Sequence, residues 1–272
     1  TALFVGSEGT LGLITELTLR LYGQPEAISA AVCAFDTVAD AVETVIDTIQ
    51  CGVPMARIEL MDEGSVRAVN AYSGMDLREV PHLLLEFHGS DTGVVEQAEI
   101  FGDIAAEHGG KGFDWATRPE DRSALWTMRH NAYYAILASR PGARAIVTDI
   151  CVPISRLAEA IEETRADLEH AGVPGPILGH VGDGNFHAIL LVDDGDEAGI
   201  ARAKAASDRM VERALAMGGT ATGEHGIGVG KLGYMAREHG EGWAMMGAVK
   251  AALDPDNIMN PGKLVPPVGD KR

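Results

Sequence analysis

Strand-like and helix-like patterns alternate along most of this chain, and that alternation restricts its fold more than any other feature. Alternating or short apolar runs predict strands at about 28–35, 56–61, 82–88, 144–151, 176–180 and 186–192. Apolar residues spaced by three and four predict helices at about 37–50, 91–108, 119–139, 154–171 and 196–217. Each half of the series resembles a β-α-β-β-α-β unit. We therefore predict an α+β fold, a large antiparallel sheet with helices on one face, built from two ferredoxin-like halves.

The first 22 residues have a different character. Residues 6–12 are glycine-rich and predict a loop, and residues 13–20 alternate between apolar and polar side chains, which predicts a half-buried strand. The breaker residues 23–26 then indicate a first domain boundary. Because the chain opens on Thr1 within an apolar run, we interpret it as a piece of a longer protein.

Composition excludes several classes of partner. The 272 residues carry 22 basic and 40 acidic side chains, a net charge of −18, so we expect repulsion from nucleic acids and from anionic lipid. No apolar run approaches twenty residues, so we expect no membrane span. The three cysteines form no CxxC pair, which favours reduced thiols in a cytosol-like compartment.

The strongest chemical signal is a pair of histidines, His180 and His187, on either side of the turn-forming dipeptide Asp183-Gly184. Seven residues apart on one straight strand they would point to opposite faces, but the turn brings the chain back. His180 would then end one strand and His187 would begin the next, both near one end of a hairpin.

A second cluster lies about forty residues later, where Glu224 and His225 stand in a glycine-flanked loop over residues 222–228. Two histidines and a carboxylate form a common catalytic metal set, and the remaining histidine suits proton transfer. The alternative is that residues 223–228 form an ordinary loop leading into a helix.

Two further features are weaker by themselves. Arg129 on the helix at 119–139 suits a substrate carboxylate, although a solvated helix arginine is equally compatible with the pattern. The glycine-rich residues 6–12 could hold a phosphate through backbone N–H groups, but they lack the GxGxxG pattern of a nicotinamide site.

Several segments together resemble the C-terminal part of FAD-linked oxidases of the vanillyl-alcohol oxidase type. Within that type they resemble the branch of cytochrome D-lactate dehydrogenases, glycolate oxidase D subunits and D-2-hydroxyglutarate dehydrogenases. The resemblance extends over essentially the whole chain. The segments that carry it are residues 6–12, 129–132, 148–157, 180–187, 223–228 and 260–263.

The resemblance implies roles for individual residues. By position, His180, His187 and Glu224 match the metal ligands of the family, and His225 matches its general base. Arg129 matches the arginine that holds the substrate carboxylate. The residues expected near the cofactor FAD are Glu8, Gly9, Gly12 and Asn260. Residues 1–24 would then be a remnant of an FAD-binding domain, and residues 25–272 a substrate or cap domain in which 254–265 return toward the flavin.

The implied activity is oxidation of a D-2-hydroxy acid, D-lactate or a close homologue, to the 2-oxo acid. FAD would be held mostly by a preceding domain and a divalent metal, Zn or Mn, by this chain, which we expect to be inactive in isolation. Electrons would pass to a cytochrome, a quinone or an electron-transfer flavoprotein. We expect a cytoplasmic protein in a bacterium or a mitochondrial-matrix protein in a eukaryote, with a homodimer among the expected assemblies.

Other interpretations remain open. Within the family, D-2-hydroxyglutarate and glycolate are alternative substrates, although Ile146, Val147 and Thr148 stand where dicarboxylate-specific relatives tend to carry an extra basic residue. Outside this activity, the residues also permit a metalloenzyme without flavin, or a binding subunit without catalysis.

Overall fold

A computed structural model describes residues 1–116 and 118–266, which form two compact units. We call Gln24–Gly219 the sheet unit, and Thr1–Gly23 with Thr220–Arg272 the loop unit. The division of the chain into domains 1–24 and 25–272 stays a prediction, and its last residues, 267–272, lie outside the described residues.

The sheet unit holds all the labelled strands and six helices of the described residues. The strands are β1 (Ala27–Ala34), β2 (Met55–Met61), β3 (His82–Gly89), β4 (Lys111–Ala116), β5 (Ala143–Val147), β6 (Ile150–Cys151), β7 (Ile177–Gly179) and β8 (Asn185–Asp193). The helices are α1 (Val38–Gln50), α2 (Glu63–Ser73), α3 (Asp91–Glu107), α4 (Pro119–Ala138), α5 (Leu157–Ala171) and α6 (Glu197–Ala216).

The strands form an eight-stranded sheet in the order β4-β1-β3-β2-β7-β8-β5, with β6 also pairing β8, and all the pairs are antiparallel. Strands β1 to β4 have the order expected of a ferredoxin-like half, and β2 joins β7 of the second half. The predicted α+β class and large antiparallel sheet are therefore confirmed. The second half is less regular than predicted, because no strand follows α6 within the described residues of the sheet unit.

Helices lie on both faces of the sheet, not on one face as predicted. In β3, Phe87 packs edge-on against Phe101 of α3, with ring centroids 6.2 Å apart. Leu84, which points to the other face, belongs to a buried cluster with Met128 and Ala132 of α4. A strand that is covered by helices on both faces has apolar side chains at consecutive positions, as β3 has at Leu83, Leu84 and Leu85.

Helix α2 was not expected from the sequence, and its first turn joins the two halves. Asp62 caps the helix by accepting a hydrogen bond from Ser65 N at 2.7 Å, and its second oxygen accepts from Ile177 N of β7 at 2.8 Å. Burial raises the pKa of the Asp62 carboxyl to about 6, because the cost of burying its charge is larger than the opposite effect of its hydrogen bonds.

This shift predicts a pH dependence of stability. The folded-state pKa of Asp62, about 6, lies above the unfolded value of about 3.9, so its contribution is complete below pH ~4 and is lost as pH rises through about 6. We expect the free energy of unfolding of the wild type, relative to an Asp62→Asn variant, to fall between these pH values. Urea unfolding of both proteins across this range measures the difference. A difference that rises or stays flat would contradict the prediction.

The strand predicted over residues 13–20 is wrong, because these residues have no regular structure. Leu13, Leu17 and Leu19 are each more than two-thirds exposed. A strand needs a neighbour to complete its hydrogen bonds, and no strand of the described residues pairs with this segment. The alternating pattern alone therefore does not make this segment a strand in the described chain.

In the loop unit, two helices, α7 (Leu232–His239) and α8 (Glu241–Leu253), accompany the turns of residues 1–12 and 254–266. Lys250 of α8 is completely buried and ties these turns together. Its ammonium donates to Thr10 O at 2.8 Å, to Met259 O at 2.6 Å and to the Asp254 carboxylate. Among the described residues, no helix combines the length and the apolar character that crossing a membrane would require.

Candidate active site

The two histidines predicted as metal ligands, His180 and His187, lie at a hairpin of the sheet unit, as predicted. His180 follows β7, a 3-10 turn covers Val181–Asp183, and His187 lies in β8 opposite Leu178 of β7. The turn closes at Gly184, whose φ of 78° is left-handed. A Cβ at this position would lie 2.1 Å from Val152 O, so glycine is required for both conformation and space.

We expect Gly184→Ala to destabilise the protein more than Gly195→Ala. Gly195 has nearly the same φ, 80°, but open space around its Cβ position, so its alanine variant measures the backbone penalty of about 1–2 kcal/mol. Gly184→Ala adds the displacement of a backbone carbonyl, which should cost about 1–3 kcal/mol more. Urea unfolding of the two variants provides the comparison. Equal losses of unfolding free energy would contradict the prediction, because they would mean that the Val152 carbonyl moves away from the added methyl group at no cost.

Hydrogen bonds at Nδ1 orient both rings. His180 Nδ1 lies 2.6 Å from Glu59 Oε1, and His187 Nδ1 lies 3.0 Å from Thr148 O. A carboxylate and a carbonyl can only accept, so each Nδ1 must carry the proton. In the neutral rings, Nε2 then holds the lone pair that a metal requires. The two ring centroids are 5.9 Å apart.

Glu59 of β2 also reaches the predicted substrate arginine. Arg129 Nη2 donates to Glu59 Oε2 at 2.9 Å, and both side chains are largely buried. Glu59, Arg129 and His180 line a cleft of about 580 Å³ in the sheet unit, beside Trp126. Sequence reasoning missed Glu59, although a carboxylate within the apolar stretch of β2 was a usable signal, since buried acids are almost always paired.

In the loop unit, Glu224 and His225 lie adjacent on a loop, with Glu224 Oε1 3.7 Å from His225 Nε2 and both side chains nearly half exposed. The loop is anchored at both ends. Ala221 N donates to Glu238 Oε2 at 3.0 Å before the pair, and the carboxylate of Glu8 accepts from two backbone N–H groups after it.

The residues predicted to bind the cofactor have clear contacts of their own. The Glu8 carboxylate accepts from Ile227 N at 2.6 Å and Gly228 N at 2.8 Å, and Glu8 O accepts from Asn260 Nδ2 at 2.6 Å. These side chains therefore organise the loop that carries Glu224 and His225. Gly9 and Gly12 have open space at their Cβ positions. A role of all four residues in holding FAD stays a prediction.

Within the sheet unit, the structure groups His180 with His187 and, through Glu59, with Arg129. Within the loop unit, it groups Glu224 and His225 on a loop tied down by Glu8. The predicted ligand set His180, His187 and Glu224, and the role of His225, combine residues of the two units and stay predictions.

The antiparallel sheet, with the histidine hairpin and a cleft that contains Arg129, defines an α+β unit with a candidate metal or substrate site. The family described as "FAD linked oxidases, C-terminal domain" matches residues 24–264. The chain therefore belongs to this family, as the motifs in its sequence indicated.

Two curated relatives illustrate the similarity. The chain is 49% identical to "Probable D-lactate dehydrogenase, mitochondrial" of Danio rerio over 97% of this chain and 54% of that protein. It is 44% identical to "D-lactate dehydrogenase [cytochrome], mitochondrial" of Arabidopsis thaliana over 98% of this chain and 47% of that protein. The chain thus spans about half the length of the curated relatives it matches.

Among solved structures, the 4-ethylphenol oxidase from Gulosibacter chungangensis is similar to this chain with a TM-score of 0.67. The two chains are 16% identical, and the similarity covers 92% of this chain and 56% of that one. This similarity establishes the shared fold.

Proposed function

We propose that this chain is the substrate-binding portion of an FAD-dependent dehydrogenase that oxidises a D-2-hydroxy acid, D-lactate or a close homologue, to the 2-oxo acid. The observation that carries the proposal is the pair of histidines whose Nδ1 atoms are held by acceptors, beside a cleft that contains Arg129. The family and the names of the two relatives support it.

The donor chemistry fits a divalent metal. His180 and His187 each direct Nδ1 to an acceptor, the arrangement that prepares Nε2 as a ligand atom. We propose that these two side chains and the Glu224 carboxylate hold the ion. Two histidines and one carboxylate suit Zn or Mn and leave positions for a substrate. The bound metal would supply a Lewis acid that lowers the pKa of the substrate hydroxyl.

Arg129 would fix the substrate carboxylate. Its hydrogen bond to Glu59 uses one of the five N–H donors of a guanidinium, so the fork keeps donors for a second carboxylate in the cleft. Holding the carboxylate in one orientation presents one face of the α-carbon, which would favour a single enantiomer.

His225 would act as general base and take the proton of the substrate hydroxyl at a ring nitrogen, a task for which the ordinary pKa of histidine is suited. The anchoring of its loop by Glu8 and Glu238 would limit the motion of this base. FAD would serve as the acceptor for the two electrons of the oxidation.

The remaining assignments extend the proposal. The name of the Arabidopsis thaliana relative supports a cytochrome as electron acceptor, and both names support a mitochondrial location if the source is a eukaryote. A quinone or an electron-transfer flavoprotein as acceptor, a bacterial cytoplasmic location and a homodimer stay predictions.

A substrate screen of the complete protein tests the proposal. D- and L-lactate, glycolate and D-2-hydroxyglutarate are offered with a dye as electron acceptor, and metal content is measured by elemental analysis. We expect the highest kcat/KM with D-lactate or a close D-homologue, and about one metal ion per chain. Dye reduction only with glycolate or D-2-hydroxyglutarate would overturn the substrate assignment, and a metal-free active protein would overturn the metal assignment.

A further inference from the structure

Glu59 occupies an unusual position, because one buried carboxylate contacts both His180, a proposed metal ligand, and Arg129, the proposed substrate arginine. Its Oε1 accepts from His180 Nδ1 at 2.6 Å and its Oε2 accepts from Arg129 Nη2 at 2.9 Å. The carboxylate lies on β2, a strand with neighbours on both sides. Its backbone is therefore held by the sheet while both oxygens are engaged by side chains.

Each contact has a separate chemical consequence. The bond to His180 keeps the proton on Nδ1 and so leaves Nε2 as the ligand atom. The bond to Arg129 directs the guanidinium and supplies the negative charge that a largely buried cation requires. An amide in place of the carboxylate could accept from only one of these donors, since its NH₂ end would face the other.

We propose that Glu59 is the positioning residue that sets the tautomer of the metal ligand His180 and the orientation of the substrate-binding Arg129. This inference rests on the proposed function, because it assigns Glu59 a task in the same site. Glu59 therefore couples metal affinity to substrate affinity, although it need touch neither metal nor substrate.

The chain contains a matched control. Glu86 on the neighbouring strand β3 is also buried, and it also pairs with a histidine and an arginine. Its Oε1 lies 2.7 Å from His88 Nε2 and 3.9 Å from Arg57 Nε. Glu86→Gln therefore removes a buried, paired carboxylate of the same sheet whose partners differ from those of Glu59.

The test measures Zn²⁺ affinity by competition with a chromophoric chelator for the complete protein and its Glu59→Gln, Glu86→Gln and His180→Ala variants. We expect Glu59→Gln to weaken Zn²⁺ binding about 10- to 100-fold. It should also raise KM for the hydroxy acid more than it lowers kcat. Glu86→Gln should change the Zn²⁺ affinity by no more than about threefold, and His180→Ala should lose Zn²⁺ at least as severely as Glu59→Gln.

A second measurement determines the tautomer in the wild type and does not depend on whether the Glu59→Gln variant folds. The ¹⁵N chemical shifts of the histidine rings in the metal-free wild type report which nitrogen carries the proton. The His180 signals are assigned by their absence from the His180→Ala spectrum. We expect the Nδ1-protonated tautomer at a pH where the ring is neutral, and the Nε2-protonated tautomer would overturn the inference.

The outcomes separate the inference from the proposed function. If His180→Ala loses Zn²⁺ and Glu59→Gln binds it as the wild type does, Glu59 has no positioning role while the metal site stands. If His180→Ala binds Zn²⁺ unchanged, the metal assignment fails and the inference fails with it. If Glu86→Gln weakens Zn²⁺ as much as Glu59→Gln, the effect is a general loss of the sheet's stability and the inference is again overturned.

Discussion

Replacing Glu224 with alanine is expected to remove the metal from the complete protein and to lower turnover of D-lactate by about 10³-fold. The reason is that the carboxylate supplies the proposed third protein ligand and its negative charge, and two neutral histidines hold a divalent ion less firmly. A Lewis acid contributes several kcal/mol to such a reaction, and about 4 kcal/mol corresponds to this factor. Elemental analysis and dye-linked kinetics measure the two losses.

Two further variants test whether the losses are specific to the carboxylate of Glu224. Glu241→Ala removes an exposed carboxylate from the first turn of α8 in the same unit, and we expect it to retain metal and rate. His225→Ala should keep the metal and lose turnover by about 10²- to 10⁴-fold, because it removes a base and no ligand. If Glu224→Ala retains both metal and rate, the assignment of Glu224 as a ligand is wrong.

Replacing Lys250 with methionine is expected to destabilise the loop unit by about 3–5 kcal/mol, the usual cost of removing one partner from a buried ion pair. The ammonium holds Thr10 O, Met259 O and the Asp254 carboxylate, so its loss frees three segments at once. The same ammonium lowers the pKa of Asp254, which therefore stays ionised and would be left without its cation.

Hydrogen exchange at the amides of Ile258 and Met259 gives a local readout, because both amides donate to Asp254. We expect much faster exchange in Lys250→Met, and partial recovery when Asp254→Asn is added, since the double variant contains no unpaired charge. Lys204→Met controls for loss of an exposed lysine on α6. Unchanged protection in Lys250→Met would mean that Lys250 does not hold these segments together.

Much of the sheet unit could be predicted from local pattern. The predicted helix at 37–50 appears as α1, with Thr37 as its cap, because its apolar spacing and capping residue agree. Helix α2 was missed although it has local signals, a cap at Asp62 and a left-handed Gly74 at its end. Its packing against α4 and the bond from Ile177 N to Asp62 are tertiary contacts that local pattern does not show. The strand predicted at 13–20 is wrong because the alternating pattern is a local signal, whereas a strand needs a partner, and no strand of the described chain pairs with this segment.

Some contacts of the candidate site could likewise be predicted from the sequence, and others could not. His180 and His187 could be paired from the sequence because the turn at Asp183-Gly184 is a local signal. The contacts of Glu8 could not, because its carboxylate bonds Ile227 N, 219 residues later, and organises a loop that local patterns describe only as glycine-rich. A residue predicted to bind a cofactor thus also has a structural task.

The sequence by itself determined the α+β class and the family, and it indicated the candidate site residues, because periodicity, turn residues and motifs are local properties of the chain. Only the tertiary structure decided which nitrogen of His180 carries its proton and what holds Arg129 in place. Glu59 performs both tasks, although in the sequence it precedes His180 by 121 residues and Arg129 by 70. Pairing of β2 with β7 brings Glu59 near His180, and packing of α4 against the sheet brings Arg129 to it. Such contacts between segments distant in sequence depend on the whole fold.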